Sequence, residues 1–150
     1  MKKNIIISSS DSKYFPLLKE LFLSLKFNKI LETYDFGILD TGLKNEDLNF
    51  LKDSGAIIKK AKWEIDVPEY KIRKREHLKT QFARAFLPDY FFNYDIYIWL
   101  DADVWINHKE TFLLYEKGAK KDKLVITPQI DRAYGPLAKI DWFFGFPKKI

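Results

Sequence analysis

The sequence predicts a layered α/β fold with a mainly parallel central sheet flanked by helices. Three observations predict it. Short apolar strands alternate with stretches whose apolar residues recur at helical spacing. The run "DIYIWLDADVWIN" (95–107) is apolar on both sides of its two aspartates, the pattern of a strand buried on both faces in the middle of a parallel sheet. And 150 residues, 47% of them hydrophobic, make one ordinary domain able to bury roughly two-thirds of its unfolded surface.

"NIIIS" (4–8) is a short buried strand ending in a polar cluster. In "YFPLLKELFLSLKF" (14–27), Leu17, Leu18, Leu21, Phe22 and Leu25 share one helical face, and Pro16 suits a first turn. "YDFGILD" (34–40) is the second strand. "NEDLNFLKDSG" (45–55) is a short helix with Asn45 as N-cap and Gly55 as its stop. "AIIKKA" (56–61) is the third strand, and 62–75, aperiodic and carrying Pro68, is a loop. "EHLKTQFARAFLPDYF" (76–91) reads as a helix halted near Pro88, whose ring lacks an N–H. The aspartate strand follows, then a helix over roughly 109–118 and a strand "KLVITP". No repeat, linker or low-complexity stretch interrupts this order.

Without cysteine, disulfides and thiolate metal sites are excluded. No stretch approaches the roughly 20 apolar residues of a spanning helix, and the start is too short in apolar residues for a signal peptide, so a cytoplasmic protein is expected. The net charge of +5 comes from "KIRKREHLK" (71–79) and "KGAKKDK" (117–123). Such runs attract polyanions, phosphate-bearing substrates or an anionic membrane surface, and equally well form solvated surface. A peripheral membrane contact stays open; no nucleic-acid motif is present, so no nucleic-acid partner is expected.

Asp101 and Asp103 pose the chemical question. An ionised carboxylate in an apolar run needs neutralising, and no Lys or Arg lies between Asp95 and His108. The partner must come from a distant basic residue, a backbone amide, solvent at a strand end or a metal ion. In extended chain the two side chains point to the same side, so both could face one ion. Oxygen ligands without sulfur or clustered histidine suit Mg²⁺ or Mn²⁺. The triplet alone is common, and Glu64-Ile65-Asp66 is another. Its context carries the weight, because open parallel sheets bind ligands beyond the carboxyl ends of their strands.

"IYIWLDADVWI" resembles the DxD segment of GT-A fold glycosyltransferases, most like the family 8 group of galactosyl- and glucosyltransferases. "NIIISSSDSKYFPLLKELFLSL" resembles that group's opening strand, nucleotide-binding turn and first helix. "LKTQFARAFLPDYF" resembles its arginine-bearing helix, and "LVITPQIDRAY" the segment bordering the donor sugar. The resemblance implies a GT-A, Rossmann-like fold and a single nucleotide-sugar-binding domain over 1–150 that lacks its acceptor portion. It implies metal-dependent transfer of a hexose from a nucleoside-diphosphate sugar, UDP-linked in that group, to a hydroxyl of a glycan, lipid or protein acceptor. Asp101 and Asp103 would bind Mn²⁺ or Mg²⁺ bridging the diphosphate. Asp11 would hydrogen-bond the base, Tyr14 would stack on it, and Arg84 would contact phosphate or sugar.

The chain departs from the family at two places. Lys13 stands where the family has Asn, and the later H-x-G-x-x-K-P-W-like segment with a third metal ligand is absent; His77 and His108 sit in no such motif. Plainer roles compete as well. Tyr14 and Phe15 suit a core, Arg84 a helix surface, and Trp99 and Trp105 packing around the strand. "WFFGF" (142–146) suits either a core or a sugar platform. Two other classes share parts of the pattern. Haloacid dehalogenase-type phosphatases place a nucleophilic aspartate, here Asp101, after an apolar strand, and a non-catalytic basic module would use the lysines alone.

Overall fold

The computed structural model describes residues 4–73, 75–120, 123–127, 142–143 and 146–147, in two compact units, Met1–Lys117 and Gly118–Ile150. The first unit is a four-stranded parallel sheet with strand order β3-β2-β1-β4. Its strands are β1 (Asn4–Ser10), β2 (Asp35–Asp40), β3 (Ile57–Lys60) and β4 (Ile96–Trp99). β1 pairs with β2 from Ile5 opposite Asp35 to Ser10 opposite Asp40, and with β4 from Asn4 opposite Ile96 to Ile7 opposite Trp99.

Helices cover both faces, as parallel strands require. α1 (Phe15–Phe27) and α2 (Asn45–Asp53) lie on one face. There Leu18, Leu21, Phe22, Leu25 and Leu51 pack with Ile6 and Ile38 of the sheet and with Phe112 of α6 (Glu110–Ala119). On the other face Ala83, Leu87, Tyr90 and Phe91 pack on Ile5, Ile7, Leu39 and Ala61. Period two along β1 thus sends Ile5 and Ile7 to one core and Ile6 to the other. Gly37 lets the Phe91 ring close on β2; a Cβ there would sit 2.7 Å from that ring.

Local chemistry explains several boundaries. Gly55 ends α2 at φ 79°, its N–H bonded to the Lys52 carbonyl while the Ala56 N–H bonds to that of Leu51, a Schellman closure. The N-cap position is Lys44, one residue before the Asn45 expected there, because the capping oxygens come from elsewhere. Ser12 Oγ accepts the Lys44 N–H at 2.6 Å and donates to Asp47 at 2.6 Å. Within 62–75 a one-turn helix, α3 (Glu69–Ile72), follows Pro68 directly.

Further expectations are corrected around β4. The helix over 76–91 is broken into a 3-10 turn at Glu76–Leu78, α4 (Lys79–Ala83), a second 3-10 turn at Arg84–Phe86 and α5 (Leu87–Tyr90). Pro88 starts α5 instead of halting a helix, since its missing N–H is harmless in a first turn. In a continuous helix its ring would press on the carbonyl four residues earlier, that of Arg84, and the break falls there. β4 is four residues long and, among the described residues, an edge strand with only Ile98 buried, not a doubly buried middle strand. The chain leaves the ladder at Leu100, whose N–H still reaches the Ile7 carbonyl at 2.9 Å, and turns at Ala102–Asp103.

In the second unit, residues 123–127 are irregular instead of forming the expected strand; no described strand pairs with them, and Pro128 lies outside the described residues. β5 (Trp142–Phe143) and β6 (Phe146–Pro147) form a short antiparallel pair within "WFFGF" and its following proline. Among the described residues no helix is long and apolar enough to cross a membrane.

Candidate functional site

The strand order creates a particular place. β2 and β3 lie on one side of β1, and β4 lies on the other, so the connections leave in opposite directions between β1 and β4. Such a switch point opens a crevice at the carboxyl ends of its two strands. Asp11 to Tyr14 follow β1, and Asp101 to Asp103 follow β4. The two candidate segments, 90 residues apart in sequence, are therefore neighbours at one sheet edge.

The turn after β1 is held from several sides. Asp11 Oδ1 accepts the Tyr14 N–H at 3.0 Å, which forms the entry to α1, and Ser10 Oγ donates to the Asp11 carbonyl. The Ser12 N–H reaches the Gly42 carbonyl at 3.2 Å, and Ser12 Oγ joins the start of α2 as described above. Gly42 takes φ 137°, a conformation costly for any side chain, while its N–H and that of Leu43 bond to Asp40 Oδ1. The loops after β1 and β2 thus brace each other. Tyr14 is not a core residue: half of it is exposed (50%), and Lys13 Nζ lies 5.7 Å from its ring.

At the end of β4 the sought neutralising partner is present. Arg84, from the 3-10 turn before α5, places Nη2 2.7 Å from Asp101 Oδ1. The Trp99 indole N–H donates to the same oxygen at 2.8 Å, and the Arg84 guanidinium carbon lies 4.7 Å from the Trp99 ring centroid. Arginine, indole and carboxylate thus form a closed triangle. Trp99 packs, partly buried, against the core on that face of the sheet and is also tied to Asp101, and Trp105 is 54% exposed, beside Leu23, Lys26 and Phe27 in an apolar groove. Sequence reasoning missed this role of Trp99; its position two residues before Asp101 was the available signal.

Asp101 and Asp103 are both exposed, and the turn at Ala102–Asp103 removes the strand alternation expected to align them. Asp103 makes no hydrogen bond or ion pair with the described residues. As a donor set, two solvent-facing carboxylates without nitrogen or sulfur fit a hard divalent cation in kind. Among the described residues no group of three His, Cys, Asp or Glu gathers to complete a cage. His77 and His108 are exposed, away from any such group.

No protein-family model matches the chain, and no curated protein does either. Solved structures do. A galactosyltransferase, LgtC, in complex with donor and acceptor sugar analogs matches with a TM-score of 0.51 and 24% identity, over 73% of this chain. An active-site mutant of LgtC matches with the same values. The fold is of the GT-A type. The match takes in 41% of the LgtC chain, so this chain spans less than half the length of those structures.

Proposed function

We propose that this GT-A-type unit binds a nucleoside-diphosphate sugar, UDP-linked, at the β1/β4 switch point, and that the protein transfers its hexose to a hydroxyl acceptor. The observation that carries the reading is the convergence there of an anion-binding cation, two carboxylates and an exposed aromatic, on a fold shared with a galactosyltransferase. In this reading Tyr14 stacks on the base, and Asp11 accepts a base N–H through the oxygen left free by the Tyr14 amide. Arg84 offers a planar fork of donors to phosphate. Asp101 and Asp103 would hold Mn²⁺ or Mg²⁺, which would supply the positive charge that stabilises a departing diphosphate. The chain is read as the donor-binding part of such an enzyme.

Thermal shift and calorimetry with a panel of nucleoside diphosphates, each with and without Mn²⁺, test this. UDP should stabilise the chain measurably, and more so with Mn²⁺, by the mass-action relation between ligand concentration and stability. No response to any nucleoside diphosphate in the presence of the metal would sink the reading. An acid-labile phosphate trapped on Asp101 would favour the phosphatase class instead.

A further inference from the structure

Asp101 is not a free ligand. Its Oδ1 accepts two hydrogen bonds, from Arg84 Nη2 at 2.7 Å and Trp99 Nε1 at 2.8 Å. A divalent cation binding Asp101 must share the carboxylate with a guanidinium or displace it. The seat for that guanidinium is built into the fold. Trp99 is the last residue of β4, held opposite Ile7 by the ladder, and its ring lies 4.7 Å from the Arg84 guanidinium carbon, a favourable distance for a cation over an indole. Arg84 is placed by the 3-10 turn that Pro88 imposes, just before the buried Leu87 anchors α5.

We propose that Arg84 is an internal counter-cation for Asp101, handed over to the donor's diphosphate when nucleotide and metal bind. This deepens the reading above and rests on it. The ion pair is half exposed, with side-chain accessibilities of 37% and 56%. Such a pair is worth little net energy and is easily exchanged, whereas a diphosphate offers the same fork of N–H donors more oxygens and more charge. While Arg84 rests on Asp101 it opposes the metal twice: it occupies a carboxylate oxygen and places a positive charge beside it. Once a diphosphate draws it away, the carboxylate is released. Nucleotide and metal then bind cooperatively through Arg84 as well as through any direct contact between them, and by linkage each tightens the other equally. Trp99 keeps the guanidinium close to the site during the exchange.

The role differs sharply from that of a simple donor contact. Calorimetry of Mn²⁺ on the full chain, without and with saturating UDP, should be run for the native protein, Arg84→Gln and Arg84→Lys. Arg84→Gln should bind Mn²⁺ without nucleotide roughly threefold to tenfold more tightly than the native chain, the scale of losing one half-exposed charge pair. Its coupling between UDP and Mn²⁺ should shrink by a comparable factor. Arg84→Lys keeps the charge and should stay close to the native Mn²⁺ affinity. Unchanged or weaker Mn²⁺ binding by Arg84→Gln, with UDP and Mn²⁺ still coupled in the native protein, would overturn the counter-cation role and leave the donor-site reading standing. Absence of Mn²⁺ binding to the native chain even with UDP would overturn both.

Discussion

Tyr14 and Asp103 carry the residue-scale argument, because each is exposed where an apolar neighbourhood was expected. A tyrosine half in solvent at the mouth of a parallel sheet contributes little to the core, so its removal should spare the fold. Stacking of a base on an aromatic ring is worth about 1–3 kcal/mol per base. Tyr14→Ala should therefore weaken UDP binding roughly tenfold while the melting temperature changes by no more than a few degrees, measured by calorimetry and thermal melts on one preparation. A large fall in melting temperature with UDP affinity intact would make it a packing residue. Asp103 has no protein partner among the described residues, so Asp103→Asn removes a charge without orphaning a neighbour. It should leave the fold intact and weaken Mn²⁺ binding both without and with UDP, since Asp101 alone is a poor sole anchor for a hard cation. Unchanged Mn²⁺ affinity in Asp103→Asn, measured with saturating UDP, would remove this aspartate from the metal site.

At the scale of elements, periodicity read well and pairing did not. The apolar face of α1, apart from Leu17, which is exposed, the three strands β1 to β3 and the stop at Gly55 were legible, since period and turn chemistry are local. The place of β4 was not. An apolar run of four to eight residues looks the same at a sheet edge as in its middle, and only long-range pairing with β1 decides. The break around Pro88 was half legible: the proline was seen, but whether it ends one helix or starts another depends on packing of Leu87, Tyr90 and Phe91 on the sheet. The Arg84–Asp101 partnership spans 17 residues and needed both answers, so the sequence could demand a neutralising partner without choosing it. The segment joining α5 to β4 has its own signature. Tyr94 donates to Asp35 at 2.7 Å, and burial, with that bond and the carboxylate's charge, pushes its pKa up to about 12 from an ordinary 10. A tyrosine held protonated in the folded state adds stability that is complete below pH 10 and lost as pH rises through about 12. Tyr34, raised by burial and by its bond to Glu116, and Tyr90, raised by burial and by Glu64, act in the same direction. Tyr94→Phe should then show a shallower fall in stability between pH 10 and 12 than the native chain, read from denaturant midpoints across that range. An unaltered slope would mean that Tyr94 is not held protonated by its surroundings.

For the molecule as a whole, the question is which part is self-sufficient. Among the described residues, every member of both buried clusters lies at or before Phe112, within the unit Met1–Lys117. The five proposed site residues, Asp11, Tyr14, Arg84, Asp101 and Asp103, lie in the same unit. α6 belongs to its structural closure. Phe112 is buried with its ring 5.3 Å from that of Tyr34, and Glu116 accepts hydrogen bonds from the Tyr34 hydroxyl and the Asn4 amide, which ties the start of β1 to the helix. A chain ending after Ala119 should therefore unfold in one cooperative transition and bind UDP with Mn²⁺ as the full chain does. A chain ending at Lys109 loses the Phe112 side chain from the core, a change that costs about 3–5 kcal/mol when a buried phenylalanine is truncated to alanine, and it removes the Glu116 carboxylate that Tyr34 and Asn4 bond to. Against a typical domain stability of about 5–15 kcal/mol, that shorter chain should melt far lower or fail to fold. Denaturant unfolding and calorimetry of the two truncations decide the matter. If the chain ending at Ala119 folds but no longer binds UDP with Mn²⁺ while the full chain does, residues beyond α6 contribute to the nucleotide site, and the switch-point residues alone are not enough to hold the donor.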